Sequence, residues 1–343
     1  MTDITHFGSR KRPYIIAEIG NNHLGDVDLA HSTIDAAIQA GVDAVKFQLY
    51  DPNLLITSSE PVLKHVPNNT FDTQRERFRH MVLEHREFSA LADHAKEKKV
   101  DFLCTPFDEP SADFLDDIVP AFKIASGDAS NFGLIDYVAT KGKPMMASTG
   151  LCEQDEVDQL VGRLPKDQSI IFHCVGAYPT PDNEVNMDLI PFYQNRYGLP
   201  VGFSDHTPDT LAPLAAIAMG ATIIEKHFIL DKSLLGGDRA LSLDENEMRI
   251  LVEGARRIGD MRGVTPRTLT ESEAYGKGKL RRSVYVKHFV TAGEVITADD
   301  TVYLRPELSD AHTISSVIAA KKTVAKTDIL AETALTPLNC ELS

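Results

Sequence analysis

Gly-Phe-Ser-Asp-His-Thr at 202–207 and Ile-Glu-Lys-His-Phe at 224–228 are both short apolar runs that end in polar, chemically capable side chains. Each run follows a helix-like segment, which makes the two natural neighbours as parallel strands. Adjacent strands lie about 5 Å apart. On that spacing His206 and His227 stand side by side at two strand ends, close enough for their imidazoles to hold one divalent metal. Two histidines leave coordination positions open for water and substrate, the pattern of a catalytic rather than a structural centre.

The same pattern recurs outward in both directions. Apolar or β-branched runs fall at 14–19, 44–48, 100–104, 122–125, 144–148, 169–174, 200–203 and 222–227, eight in all. Helix-spaced segments lie between them, at 29–40, 88–98, 153–161, 208–219 and 244–259, with Gly41 placed to stop the first. Eight strands alternating with helices predict a closed (β/α)8 TIM barrel rather than a doubly wound open sheet. Every run also ends in a polar group: Glu18, Lys46 with Gln48, Thr105, Lys123 with Ser126, Ser148, His173, Ser204 with His206, and Glu225 with His227. The C-terminal strand ends form the active-site face of such a barrel, so these groups are expected to converge.

The segment 50–79 is long, polar and rich in Pro and Asn, and reads as a lid or binding loop. The barrel is expected over 1–264 and a linker over 265–279. A β-rich module is expected over 280–343, with short runs at 282–287, 294–297 and 301–305. A module of that size is near the lower limit for independent stability and is expected to pack on a barrel, its own or a partner's.

Composition narrows the class. The chain of 343 residues is 43% hydrophobic and 25% charged, which is ordinary for a globular protein, and its formal charge of −15 opposes binding to nucleic acid or an anionic membrane surface. A phosphorylated substrate would need a locally basic pocket. Cys104, Cys152, Cys174 and Cys340 form no Cys-x-x-Cys pair, which argues against a disulfide framework or a structural zinc and fits a reducing cytoplasm. No secretion-type apolar region opens the chain, and 211–224 is too short to span a bilayer.

Lys46 and Lys123 sit in apolar surroundings and need anionic partners. Either Glu18 supplies one internally, or both lysines clamp a substrate carboxylate or phosphate. Ser126, Ser148 and Ser204 each stand near a glycine, which would let backbone approach an oxyanion. Asp205 and Glu225 are expected to orient the two histidines. Glu18, after three apolar residues, is expected to have a raised pKa suited to acid–base work. No dinucleotide or Walker-type loop is present. His173 and Cys174, as strand neighbours, point to opposite faces and do not form a nucleophilic pair.

Taken together, Ala-Glu-Ile-Gly-Asn-Asn-His at 17–23, Ala-Val-Lys-Phe-Gln at 44–48, Thr-Pro-Phe-Asp at 105–108, Lys-Ile-Ala-Ser-Gly at 123–127, His-Cys at 173–174, Tyr-Pro-Thr at 178–180 and the two histidine stretches resemble the sialic acid synthase family across nearly the whole chain. The resemblance implies a TIM barrel followed by a small antifreeze-like SAF domain, in a domain-swapped homodimer. The implied reaction condenses phosphoenolpyruvate (PEP) with an open-chain sugar acceptor to a nine-carbon 3-deoxy-2-keto acid and phosphate. It also implies His206 and His227 on Mn2+ or Mg2+, and Glu18, with Asp238, in the proton and water steps. Lys46, Thr105 and Lys123 would hold the PEP carboxylate; Ser126, Ser148, Ser204 and Arg282 its phosphate. Gln48, Asp128 and Tyr178 would line the substrate site, and Arg305 of the partner would reach the acyl group.

Departures from the family pattern fall on the sugar side. They are Val175 to Ala177 after His-Cys, Gly236-Gly237-Asp238-Arg239, Asp128, and Glu307 after Arg305-Pro306. They point beyond N-acetylmannosamine to a diacetamido, unacetylated or phosphorylated aldose. The alternatives are a synthase using a shorter or phosphorylated acceptor and a non-catalytic sugar-binding homologue.

Overall fold

The computed structural model describes residues 4–62, 70–234 and 238–343. The chain divides into two compact units, Met1–Gly263 and Val264–Ser343.

The first unit is a closed barrel of eight parallel strands in sequential order. The strands are β1 (Tyr14–Gly20), β2 (Ala44–Leu49), β3 (Asp101–Pro106), β4 (Phe122–Ile124), β5 (Met145–Ser148), β6 (Ser169–Cys174), β7 (Val201–Asp205) and β8 (Ile223–His227). Ends differ from the sequence expectation by at most two residues; β7 runs on to Asp205, where its ladder with β8 continues to Lys226.

Period-two alternation sorts the side chains of each strand. One set, including Ile15, Ala17, Val45, Phe47, Phe102, Ile124, Ile171, Phe203 and Ile224, packs under the surrounding helices. The other set fills the barrel: Tyr14, Ile16, Ala44, Leu103, Met146, Ile170, Phe172 and Ile223, closed at the N-terminal end by Phe7. Farther along the same interior rows come Glu18, Lys46, Lys123, Ser148, Ser204, Glu225 and His227. The interior is therefore a greasy plug at one end and a polar cup at the other.

Local signals set the helix ends. Asp26 caps Val27–Ala40 by accepting from the amides of Asp28 and Leu29, and Gly41, at φ 88°, stops it in the left-handed conformation. The segment read as a lid holds two helices, Pro52–Leu55 and Gln74–Met81, the second closed by a Thr73–Glu76 capping box. Its residues 63–69 lie outside the described residues, as do Gly236 and Gly237 among the sugar-side departures.

The second unit has a three-stranded sheet, Val295–Ile296, Thr323–Ala325 and Cys340–Leu342, and a two-stranded one, Ser283–Val286 with Thr301–Leu304. Val284, Val286, Val290, Ile296, Ile329 and Leu335 make its core. The stretch read as a linker contains a helix, Glu271–Leu280, started by a Thr270–Glu273 capping box. That Thr-x-x-Glu signal was legible in the sequence. None of the helix's residues is buried.

Gly259, in the last turn of Glu245–Met261, lies against backbone: a Cβ there would come 2.1 Å from the Lys11 carbonyl oxygen. Gly259→Ala is expected to destabilise the barrel by about 1–3 kcal/mol through forced backbone movement. A urea midpoint equal to wild type would contradict this packing.

Candidate active site

At the C-terminal ends of the strands lies a cavity of about 310 Å³. Glu18, Lys46, Gln48, Thr105, Lys123, Ser126, Ser148, Tyr178, Ser204, His206, His227 and Asp238, read from the sequence as site residues, all line it. Asp128 is not among the lining residues; it sits half-buried on the turn after β4 and accepts from Asn131. Arg282 and Arg305 belong to the second unit, where both are exposed and Arg282 donates to the carbonyl of Tyr303.

Glu225 is the hub of the polar cup. Its Oε2 lies 3.7 Å from Lys46 Nζ and 3.6 Å from Lys123 Nζ, and its Oε1 accepts from Ser204 Oγ at 3.0 Å. Lys46 also pairs with Glu18 at 2.8 Å and donates to Thr105 Oγ1 at 3.0 Å. Lys123 donates to Ser148 Oγ at 2.6 Å. Burial works against ionised Glu225, but Lys123 and Lys46 outweigh it and hold its pKa down to about 2. Burial likewise lowers Lys123. Lys46 moves the other way, since two carboxylates flank it and overcome the same burial.

Glu18 is buried and raised to about 7, first by desolvation and then by the charge of Glu225, with Lys46 pulling against both. Gln48 Nε2 donates to its Oε1 at 2.9 Å; Asn21 donates to Gln48, and Tyr50 donates to Asn21. This chain fixes one face of the carboxyl and leaves its proton affinity near neutrality.

The two imidazoles face each other with ring centroids 5.4 Å apart. Tyr178 lies over His206 at 4.1 Å, tilted by 31°, and meets His227 edge-on at 6.2 Å. His206 Nδ1 donates to the carbonyl of Val175 at 2.7 Å, which leaves Nε2 as a lone-pair donor. His227 is held neutral by burial and by His206, and its Nδ1 is buried with no hydrogen bond among the described residues, 3.6 Å from Asp238 Oδ2. Two imidazoles, one with a bare buried nitrogen, and a nearby carboxylate fit a divalent cation. No group of three His, Cys, Asp or Glu placed for a metal exists among the described residues, so remaining ligands would be water or substrate.

Two expectations are corrected. Asp205 does not orient a histidine: it points away from the cavity, pairs with fully buried Lys226 at 2.6 Å and accepts from Thr207. Glu225 serves the lysines, and the histidines are steadied by Val175, Tyr178 and Asp238 instead. Two of the three glycines near the serines serve packing: a Cβ on Gly150 would meet Ser126 Oγ at 2.6 Å, and one on Gly202 would meet the Phe172 ring at 2.7 Å, whereas Gly127 has open space around it. His173 and Cys174 form no nucleophilic pair, as their strand phase implies; the histidine beside Cys174 is His206 at 3.9 Å, and that nitrogen is committed to Val175 and offers no base. His173 turns outward to the carbonyl of Val185.

A family model described as the NeuB family matches residues 33–266. The chain belongs to the NeuB family. The N,N'-diacetyllegionaminic acid synthase of Legionella pneumophila is 34% identical over 325 residues, covering 92% of this chain and 91% of that protein. The N-acetylneuraminate-9-phosphate synthase of Homo sapiens is 32% identical over 297 residues, covering 85% and 83%. The crystal structure of the N-acetylneuraminic acid synthetase of Leptospira borgpetersenii, in complex with citrate, matches with a TM-score of 0.70 at 32% identity, over 78% of this chain and 90% of that one. As a member of the NeuB family the chain is an enzyme, a synthase of the kind that joins PEP to a sugar.

Sequence reading missed several lining residues of this NeuB-family cavity: Asn21, Gln74, Arg77, Phe78 and Phe107. For Glu225 the signal was present, since two residues before His227 on a strand means the same face. For Gln74, Arg77 and Phe78 it lay in the Thr73–Glu76 capping box, which starts a helix and puts positions i, i+3 and i+4 on one side.

The raised Glu18 carries a stability consequence. Its folded pKa, about 7, exceeds the ordinary glutamate value of 4.5, so its contribution is present below 4.5 and is lost as pH rises through 7. From pH 5 to pH 8 the wild type is expected to lose stability relative to Glu18→Gln, by at most about 3 kcal/mol. Parallel urea curves at the two pH values test this; no change in the difference would show that Glu18 titrates normally.

Proposed function

We propose that this enzyme condenses PEP with an open-chain N-acetylmannosamine-like aldose, or a diacetamido-dideoxy relative of it, giving a nine-carbon 3-deoxy-2-keto acid and phosphate. The observation that carries the reading is the division of one cavity into two halves, a lysine and hydroxyl cup on β2 to β5 and an imidazole pair on β7 and β8.

Lys46, Thr105 and Lys123 hold the PEP carboxylate, and Ser126, Ser148 and Ser204 receive its phosphate, with Arg282 added from the second unit of one protomer. Glu225 keeps both lysines charged and extended between visits of the anion. Its 3.6 and 3.7 Å separations are ion pairs without hydrogen bonds, so an arriving oxyanion accepts from the lysines without breaking a hydrogen bond to Glu225. A divalent cation, Mn2+ or Mg2+, held by His206 and His227 would polarise the acceptor's carbonyl.

The new bond forms between C3 of PEP and the aldehyde carbon. Water adds at C2 and the C2 oxygen leaves with phosphate. Glu18 stands between the two halves, and a carboxyl titrating near neutrality can give a proton to the aldehyde oxygen and take one from water. Gln48 fixes its orientation, and Asp238 steadies His227. The enzyme is proposed to work in the cytoplasm as a domain-swapped homodimer, with Arg305 of one protomer reaching the acyl group bound in the other. Among the described residues no helix is long and apolar enough to cross a membrane.

His227→Ala is expected to lose phosphate release from PEP and metal retention together, at least a hundredfold in rate. Elemental analysis and a phosphate assay on the same preparation check it, and full turnover would remove the metal role. Arg305→Ala is expected to raise the acceptor KM, with activity restored when it is mixed with a barrel-inactive Lys123→Met chain. Failure of that rescue counts against swapping.

A further inference from the structure

The two imidazoles are carried in different ways. His227 is the last residue of β8 and lies within a ladder, opposite Glu18 of β1. Its carbonyl also accepts from the Leu243 amide at 2.8 Å. His206 lacks a ladder partner: β6 pairs with β7 as far as Cys174 opposite Ser204, and β8 pairs with it as far as Lys226 opposite Asp205. It therefore stands one residue beyond the end of its strand, where sheet register no longer fixes the backbone.

What holds His206 lies behind it. Asp205 and Thr207, on either side of it, are each 1% exposed, and Lys226, next to His227, is fully buried. The Asp205 carboxylate accepts from the Thr207 amide at 2.9 Å and from its hydroxyl at 3.0 Å, closing 205–207 into a tight turn with His206 at the apex. Lys226 Nζ donates to Asp205 Oδ2 at 2.6 Å and to the carbonyl of Thr207. One ammonium group thus grips both ends of the turn, and it does so from the strand that bears His227. On the other side the His206 carbonyl accepts from the Thr180 amide at 2.9 Å.

Stability alone explains this arrangement poorly. A buried ion pair returns about as much as its desolvation costs, and apolar residues of like volume often serve a fold as well. Directional, charge-assisted hydrogen bonds at both ends of a turn do what apolar packing cannot, which is to fix the backbone of the residue between them.

We propose that Asp205, Thr207 and Lys226 are positioning residues, a clasp that holds the His206 imidazole opposite His227 so that the pair can receive a divalent cation. None of the three is among the residues lining the cavity, so they act through the backbone of His206 and touch neither cation nor substrate. The inference rests on the reading of the two rings as a cation site.

Removing one partner would strand the other charge in the interior, so the test exchanges the pair whole, Asp205→Leu with Lys226→Met in the full-length enzyme. Mn2+ is titrated into the metal-stripped protein and the free ion read by electron paramagnetic resonance. Binding is expected to be about tenfold weaker than in wild type, the usual effect of losing groups that orient a metal ligand. PEP affinity, measured by calorimetry without metal, and the melting temperature are expected to hold. If the double variant melts early, Thr207→Val, which deletes only the hydroxyl bond to Asp205, is expected to weaken Mn2+ about threefold with PEP affinity unchanged. Mn2+ held as tightly as by wild type, in whichever variant melts normally, overturns the inference. So does an equal loss of Mn2+ and PEP, which would make the clasp a general support of the barrel. Mn2+ failing to bind wild type, or binding His227→Ala equally well, overturns the cation-site reading instead, and this inference with it.

Discussion

One buried carboxylate lets the rest of the cup exist. Lys46 and Lys123 are each at most 3% exposed, and two ammonium groups so placed would otherwise have to lose their protons or repel each other apart. Glu225 lies between them and stays ionised because of them. Such a cluster is weak evidence for stability, since desolvating four charged groups costs about as much as their attraction returns. Its persistence in the middle of a barrel is better explained by use: it keeps positive charge, dry and oriented, where a small anion can reach it.

The same cluster splits two carboxylates into different roles. Glu225 contacts two lysines and a serine and is held far below the ordinary carboxylate range, whereas Glu18 contacts one lysine and an amide and rises to about 7. Neighbouring acids pushed apart in this way are the usual means by which one site keeps a permanent charge and a titrating group together. The interior rows make the arrangement geometrically cheap. Glu18, Lys46, Lys123 and Glu225 need no special loops; each follows a buried apolar residue on a strand whose alternation already points it inward.

That alternation is also why so much was legible in the sequence. A strand of known phase fixes which side chains enter the barrel, so the eight runs and their polar ends gave both the architecture and most of the cavity lining. What escaped was partner choice. Asp205 and Glu225 look equivalent as acids beside histidines, but they stand on opposite phases: Asp205 shares the outer face with Lys226, and Glu225 the inner one with His227. Glycines beside serines suggested anion cradles, and only three-dimensional packing showed Gly202 making room for Phe172. The helix Gln74–Met81 was hidden because five of its eight residues are charged or histidine and its buried face is short, so capping chemistry rather than hydrophobic period defines it.

The division between strand and loop bears on how such a site can change. Strand-end residues are locked by ladder register on both sides, so a shift in Lys46 or Glu225 disturbs its neighbours as well. The wall carrying Gln74, Arg77 and Phe78 is fastened differently, through Arg75 and Arg79 to the segment before it and through Phe78 to Tyr50. Substitutions of Gln74 or Arg77 leave those ties in place and cost the barrel little, as is general for loops set on a rigid scaffold. The lysine and hydroxyl cup is constrained by the fold itself, and this wall is not.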